Sequence, residues 1–140
     1  MGRQESRKAR RVTAYLLDTH AALWWWTDSP RLGKAAREVI EADIDRLCLS
    51  VASIWEVAIK SHAGRLPEMP AFREEYPALI QVSRFELLAI DDRHALRASY
   101  LDHPHRDPFD RVIAAQALSE DLVVVTRDRE FAAFGCKVLW

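Results

Sequence analysis

The stretch that organises this chain is Asp107-Pro108-Phe109-Asp110-Arg111-Val112-Ile113-Ala114-Ala115-Gln116-Ala117. On a helix, the apolar residues three, four and seven positions beyond Asp110 share one face with it. Pro108 suits the first helical position, where its missing N–H costs nothing, and Asp107 is then the N-cap. The stretch therefore predicts a helix packed closely on a sheet, with the Asp110 carboxyl leading its buried face.

The composition is that of one soluble globular domain, with 140 residues, 49% apolar and 29% charged. No apolar run approaches the ~18 residues of a membrane span. The apolar run after the basic start is interrupted by Asp18 and His20, so no signal peptide is expected. We therefore expect a cytoplasmic protein without a membrane partner. Cys48 and Cys136 lie far apart in apolar contexts and are predicted to be buried, reduced thiols.

The charge is unevenly distributed, because residues 1–12 form a basic extension of net charge +4 in a chain whose total is −1. One interpretation is a disordered arm that contacts nucleic acid. An artificial addition or a mis-assigned start is the favoured interpretation, since residues 13–140 already resemble a complete domain. The acidic remainder argues against a nucleic-acid partner, unless its acids bind divalent cations that reverse the local charge.

Short apolar runs alternate with helical segments along the chain. The runs that indicate strands are 13–17, 47–51, 85–90, 122–126 and 137–139. The segments that indicate helices are 21–26, 29–40, 53–60, 69–82 with a break or bend near Pro77, 91–100, 107–117 and 128–134. Continuous rather than alternating apolar strands are typical of burial on both faces. The sequence predicts a single α/β domain with a parallel sheet of about five strands covered by helices on both faces.

Four acids follow strands or open helices at the predicted carboxyl edge of this sheet. Asp18 ends the first strand, Glu56 lies near the start of the helix after the second, Asp110 opens the central helix, and Asp128 follows the fourth strand. Ligands of open parallel sheets bind at this edge. Each acid also has a structural alternative, because Ser53-x-x-Glu56 matches a capping box and carboxylates near helix N-termini are stabilised.

The four acids together favour a metal site over four separate caps. Two carboxylates ~5 Å apart repel by ~3 kcal/mol at an effective dielectric constant of ~20, so four converging carboxylates need a compensating cation. Carboxylate oxygens without imidazole or thiolate partners suit Mg²⁺ or Mn²⁺. The reaction that such a site favours is phosphodiester hydrolysis.

The constellation resembles the PIN-domain ribonucleases and, within them, the VapC-type toxins of bacterial toxin–antitoxin pairs. The matching motifs are Leu16-Leu17-Asp18-Thr19-His20, Ser53-Ile54-Trp55-Glu56-Val57, the stretch from His105 to Ala117, and Val125-Thr126-Arg127-Asp128. The resemblance covers Tyr15 to Trp140. It implies a Mg²⁺- or Mn²⁺-dependent endoribonuclease that is often a homodimer and is inhibited by a cognate antitoxin. The family's catalytic and metal-binding acids fall on Asp18, Glu56, Asp110 and Asp128.

Secondary roles are expected for several neighbours of these acids. Asp107, Thr19 and Thr126 are candidate accessory residues that orient ligands or water. Arg111, Arg127 and His20 are candidate RNA contacts; surface solvation is the alternative for the two arginines, and a structural hydrogen bond for His20. The rival function is a catalytically inactive PIN-like domain that binds protein or RNA. A receiver-like phosphoacceptor is disfavoured, because only Asp18 follows the first strand.

Two further clusters have simpler interpretations. His103 and His105 lie in a loop without metal-ligand spacing and are predicted to be solvated. Glu41, Asp43 and Asp45 are expected on a solvated helix face.

Residues 24–26, three consecutive tryptophans, span ~200° of a helix. Either the helix is packed on two sides, or at least one indole faces a groove or partner; base stacking is a further alternative.

Overall fold

The structure is a computed structural model, and it describes residues 13–42 and 44–140. Its strands are β1 (Ala14–Leu17), β2 (Arg46–Ser50), β3 (Glu86–Leu88), β4 (Val123–Val125) and β5 (Val138–Leu139). Its helices are α1 (Thr19–Trp26), α2 (Lys34–Ala42), α3 (Val51–His62), α4 (Phe72–Ser83), α5 (Asp92–Tyr100), α6 (Pro108–Glu120) and α7 (Glu130–Ala133). The basic extension 1–12 and Asp43 lie outside the described residues, so the predictions made for them stay predictions.

The strands form one parallel sheet in the order β3-β2-β1-β4-β5. Leu16, Cys48 and Val124 form one row across its centre, and the next residue on each of these strands points to the opposite face. Both rows are buried. The first row packs with residues of α6 and α7, and the second packs with residues of α1 to α4. This arrangement confirms the predicted parallel sheet with helices on both faces, and it explains why the strands are continuously apolar.

Helix α6 begins as its sequence predicts. The Asp107 Oδ1 atom accepts hydrogen bonds from the backbone N–H groups of Phe109, at 2.9 Å, and Asp110, at 3.3 Å, and Pro108 occupies the first helical position. The buried positions of the helix run from Ile113 to Ala117. The small side chains allow the helix to lie close to the sheet, and the cap fixes Asp110 at its mouth.

Removal of the Asp107 cap is expected to lower the free energy of unfolding by about 1 kcal/mol, because two N–H groups lose their acceptor. Denaturant titration of Asp107→Ala and Asp107→Ser measures this loss. Both variants remove the negative charge beside Asp110, but only serine keeps a capping oxygen, so the difference between them isolates the cap. Equal stability of the two variants would contradict the assignment.

Several helices differ from those that the sequence predicts. Helix α1 begins at Thr19, and α2 begins at Lys34 and not at Ser29. Helix α3 begins at Val51 directly after β2, and the Ser50 hydroxyl caps it by accepting the Ala52 N–H at 3.0 Å. The capping-box interpretation of Ser53 and Glu56 is therefore wrong, because Glu56 lies in the second turn. Helix α4 is a single helix that contains Pro77, and α7 is shorter than the predicted segment 128–134.

The tryptophans of α1 are packed on two sides of the helix. Trp24 contacts Trp140 edge to face, with ring centroids 5.7 Å apart. Trp26 lies against Phe72 and Phe85 at 5.9 and 6.2 Å. This confirms the two-sided packing, while Trp24 also lines a pocket described below.

Both cysteines are buried and free, as predicted. Burial raises the pKa of the Cys136 thiol to about 11, so it stays protonated at neutral pH. Within the described residues, no helix combines the length and the apolar character that a bilayer crossing requires.

Candidate active site

The site lies where the strand order reverses. The chain moves from β1 to β2 on one side and later places β4 on the other, so β1 and β4 are neighbours at the switch point. Crevices at the carboxyl ends of such strands are the usual ligand sites of open α/β sheets. Asp18 follows β1 directly, and Thr126 and Asp128 follow β4. The topology therefore brings together acids that are more than a hundred residues apart in the chain.

Asp18 is held rigidly at this point. It is the N-cap of α1, and its Oδ1 atom accepts the Ala21 N–H at 2.7 Å. Its Oδ2 atom accepts a short hydrogen bond from the Thr126 hydroxyl. The Thr126 oxygen in turn accepts the backbone N–H of Asp128 at 3.0 Å. Thr126 thus joins two of the predicted acids.

Glu56 enters the same region from α3. Its side chain is buried, and its Oε2 atom accepts a hydrogen bond from the Lys60 ammonium at 2.8 Å. Its Oε1 atom is buried and has no hydrogen-bond partner among the residues that the structure describes. A buried carboxylate oxygen without a partner is costly, so this atom marks a position where a cation would be stabilising. The neighbouring Thr19 hydroxyl donates to Ser53 at 3.0 Å and so joins α1 to α3 rather than contacting an acid.

Asp110 lies in the first turn of α6, and one of its carboxylate oxygens is hydrogen-bonded. Its Oδ2 atom lies 2.9 Å from His105 Nε2, and this hydrogen bond raises the pKa of His105. The prediction that His105 is a solvated loop residue is therefore wrong. His103 is also partly buried, with its ring 4.8 Å from that of Phe134.

The pKa values show that the acids act on one another. Burial raises the pKa of Asp18 to about 6, and the negative charges of Asp128 and Glu56 add to the effect. Burial also raises the pKa of Asp110 to about 6, with further contributions from Asp107 and Glu56. Because Glu56 contributes to the raised pKa of both Asp18 and Asp110, the three carboxyl groups lie within electrostatic range of one another.

The donors fit a hard divalent cation, although they are not arranged as a finished coordination shell. In the part of the chain that the structure describes, no group of three His, Cys, Asp or Glu side chains is positioned to hold a metal ion. One oxygen each of Glu56 and Asp110 is held by Lys60 and His105. The chemistry still matches Mg²⁺ or Mn²⁺, because the remaining donors are carboxylate oxygens and the buried Glu56 Oε1 lacks a partner.

Arg111 is fixed within the protein. Its guanidinium donates to the carbonyl oxygens of Ala98, Leu101, His103 and His105 at 2.8 to 3.0 Å. The solvated alternative for Arg111 is therefore wrong, because the side chain organises the loop that carries His105. An RNA contact by Arg111 stays a prediction that this geometry does not favour.

The other two predicted RNA contacts lie beside the acids. His20 and Arg127 line an open pocket of about 460 Å³ together with Asp18 and Asp128. The contacts of Lys60 and His105 with the site acids were not among the sequence-based predictions. The signal for Lys60 was present, since an acid and a lysine four residues apart on a helix commonly pair. His105 had no such signal, because its position depends on the Arg111 contacts.

Comparison with known proteins agrees with this geometry. The profile of the PIN domain matches residues 15–135. Ribonuclease VapC22 of Mycobacterium tuberculosis is 30% identical over 123 residues, which cover 84% of this chain and 89% of that protein. The tRNA(fMet)-specific endonuclease VapC of Shigella flexneri is 26% identical over 124 residues, covering 86% and 92%.

A solved structure supports the same fold. The crystal structure of VapBC2 from Rickettsia felis, bound to a DNA fragment from its promoter, superimposes with a TM-score of 0.68 at 14% identity. The match covers 91% of this chain and 98% of that one. The sheet order, the clustered acids and these similarities lead to one assignment: this chain belongs to the PIN-domain family and, within it, to the VapC-type ribonucleases.

Proposed function

We propose that this chain is a Mg²⁺- or Mn²⁺-dependent endoribonuclease toxin that a cognate antitoxin holds inactive. The observation that carries the proposal is that Glu56, whose buried Oε1 atom has no hydrogen-bond partner among the described residues, acts electrostatically on both Asp18 and Asp110. The ribonuclease names of the two relatives support RNA as the substrate. Solved toxin–antitoxin complexes of the same fold, such as one from Klebsiella pneumoniae, support the antitoxin partner.

The four acids would hold the metal: Asp18, Glu56, Asp110 and Asp128. A divalent ion bound there would supply the activated water and the charge neutralisation that phosphodiester hydrolysis requires. The chain itself supplies rigid donors. The Ala21 N–H and the Thr126 hydroxyl fix the plane of the Asp18 carboxylate, so little reorganisation is needed when a cation binds.

A lysine and a histidine each hold one oxygen of a site acid. Lys60 holds Oε2 of Glu56 and leaves Oε1 for another partner, and His105 in the same way holds Oδ2 of Asp110. These contacts lower the cost of placing several carboxylates together and orient the remaining oxygens. Asp107 contributes by capping α6 and so fixing Asp110, which is the accessory role proposed for it.

The rival function, an inactive PIN-like domain that only binds protein or RNA, has less support. All four acids are present in the chain, and two of them, Asp18 and Asp110, have strongly raised pKa values. Perturbed carboxyl groups clustered at a cleft are typical of functional sites. Homodimer formation is part of the proposal as well, since it follows from the family resemblance.

The test is an RNA cleavage assay with the purified full chain. Single-stranded and structured RNA are incubated with Mn²⁺, with Mg²⁺, or with EDTA, and the products are resolved by gel electrophoresis. We expect internal cleavage with either metal and none in EDTA. Intact RNA under all conditions would overturn the nuclease proposal, while undiminished cleavage in EDTA would overturn its metal dependence.

A further inference from the structure

A pocket next to the candidate metal site combines features that the metal chemistry does not use. It has a volume of about 460 Å³ and shares one wall, Asp18 and Asp128, with the active site. Its other walls are aromatic and cationic rather than acidic. A substrate held in this pocket would therefore lie directly beside the carboxylates.

The aromatic wall is built around Trp24. This indole is buried, and the exposed His20 ring and the partly exposed Trp140 ring flank it with centroid distances of 5.3 and 5.7 Å. Trp140 is held tightly, because a Cβ atom added at Gly33 would lie 2.7 Å from its backbone and its ring. The pocket thus presents two accessible ring systems on a rigid support.

The cationic wall consists of Arg127 and Arg129, both exposed. The guanidinium carbon of Arg127 lies 4.5 Å from the centroid of the Trp24 ring. Neither guanidinium makes an ion pair or a side-chain hydrogen bond with another described residue, although Asp18 and Asp128 line the same pocket. Two unpaired cations at the mouth of an acidic site are available to bind an anionic ligand such as a phosphodiester.

We infer that this pocket binds one unpaired nucleotide of the RNA substrate, adjacent to the phosphodiester that is cleaved. Its base lies against the rings of His20 and Trp140, and its phosphate contacts Arg127 and Arg129. The inference rests on the proposed nuclease function and specifies the form of its substrate. Rings can stack only on a base whose face is free, so a base within a continuous duplex is excluded. The pocket volume suits one nucleotide and not a helical segment.

The test separates contacts with the base from contacts with the phosphate. All variants are made in a full chain that carries Asp110→Asn, so that RNA is bound in Mg²⁺ without being cut. Affinity is measured by fluorescence anisotropy with a single-stranded RNA hexamer, its duplex form, and an abasic hexamer that keeps the phosphates. His20→Ala should weaken binding of the normal hexamer about tenfold and leave the abasic hexamer unaffected.

Arg127→Gln should weaken binding of both single-stranded ligands, because it removes a phosphate contact. Arg73→Ala, an exposed arginine of α4 outside this pocket, is the matched control and should bind like the parent. The indole N–H signals of Trp24 and Trp140 should shift in NMR spectra when the normal hexamer is added.

Cleavage by the unsubstituted chain is measured in parallel, so that the two hypotheses fail separately. If the unsubstituted chain cuts RNA while His20→Ala and Arg127→Gln bind like Arg73→Ala, the nuclease function stands and the nucleotide subsite is overturned. In that outcome the pocket does not bind RNA, and a segment of a protein partner becomes the alternative ligand. Tighter binding of the duplex than of the single strand would also overturn the inference.

Discussion

Replacement of Asp18 or Asp110 by asparagine lowers metal-dependent RNA cleavage about a hundredfold to a thousandfold, the loss produced when one electrostatic group is removed from an active site. Asparagine has nearly the same shape, so the cap on α1 and the start of α6 are retained, but it carries no negative charge for a cation. The measurement is the single-turnover cleavage rate at saturating Mg²⁺, combined with Mn²⁺ binding by calorimetry.

Asp121→Asn is the matched control. Asp121 lies at the end of α6 in the left-handed region, which asparagine also tolerates, and its side chain is 92% exposed. This variant should cleave RNA and bind Mn²⁺ like the unsubstituted chain. If Asp18→Asn or Asp110→Asn behaves like this control, the assignment of the acids is wrong.

The second large effect is on stability in the absence of metal. Asp18 and Asp110 each have a pKa of about 6 in the folded chain, against the ordinary value of 3.8. Between those pH values the folded chain keeps a proton that the unfolded chain has lost. The free energy of unfolding therefore falls as the pH rises from about 4 to about 6, by about 3 kcal/mol for the buried Asp18 and by less for Asp110, whose carboxyl group is partly exposed to solvent.

Denaturant titrations in EDTA at several pH values measure this loss, and comparison with Asp18→Asn isolates one carboxyl from all others. The variant should be about as stable as the unsubstituted chain at pH 4 and about 3 kcal/mol more stable at pH 7. Asp121→Asn should show no such gain. A stability difference that does not change with pH would mean that Asp18 is not held in a charge-repelling, desolvated position.

Much of the architecture could be predicted because local signals and tertiary packing agree. The Asp107-Pro108 start of α6, its small buried residues and the continuously apolar β4 each favour the structure that they form. Asp18 and Asp128 could be placed at the same edge of the sheet because parallel strands end together. When local preference and overall fold agree in this way, the secondary structure and its packing can be predicted from the sequence.

The features that could not be predicted depend on side-chain contacts between residues far apart in the chain or on how neighbouring elements join. The loop that carries His105 is held by Arg111, on the next helix, which binds its carbonyl groups. Ser50 caps α3 because β2 passes directly into the helix. The Ser53-x-x-Glu56 pattern, which resembles a capping box, led to the wrong predicted start of this helix. Trp140 contributes to a pocket near Asp18 through its contact with Trp24, which no local pattern of the last residues indicates.

The pairing of β1 with β4 also constrains when the candidate site can form during protein synthesis. Asp18 is translated early, but Thr126, which holds it, follows more than a hundred residues later. A nascent chain that has left the ribosome only as far as α6 has no β4 beside β1, and it lacks both the Thr126 hydroxyl and Asp128. Asp18, Thr126 and Asp128 can therefore come together only after β4 has been synthesised and has paired with β1.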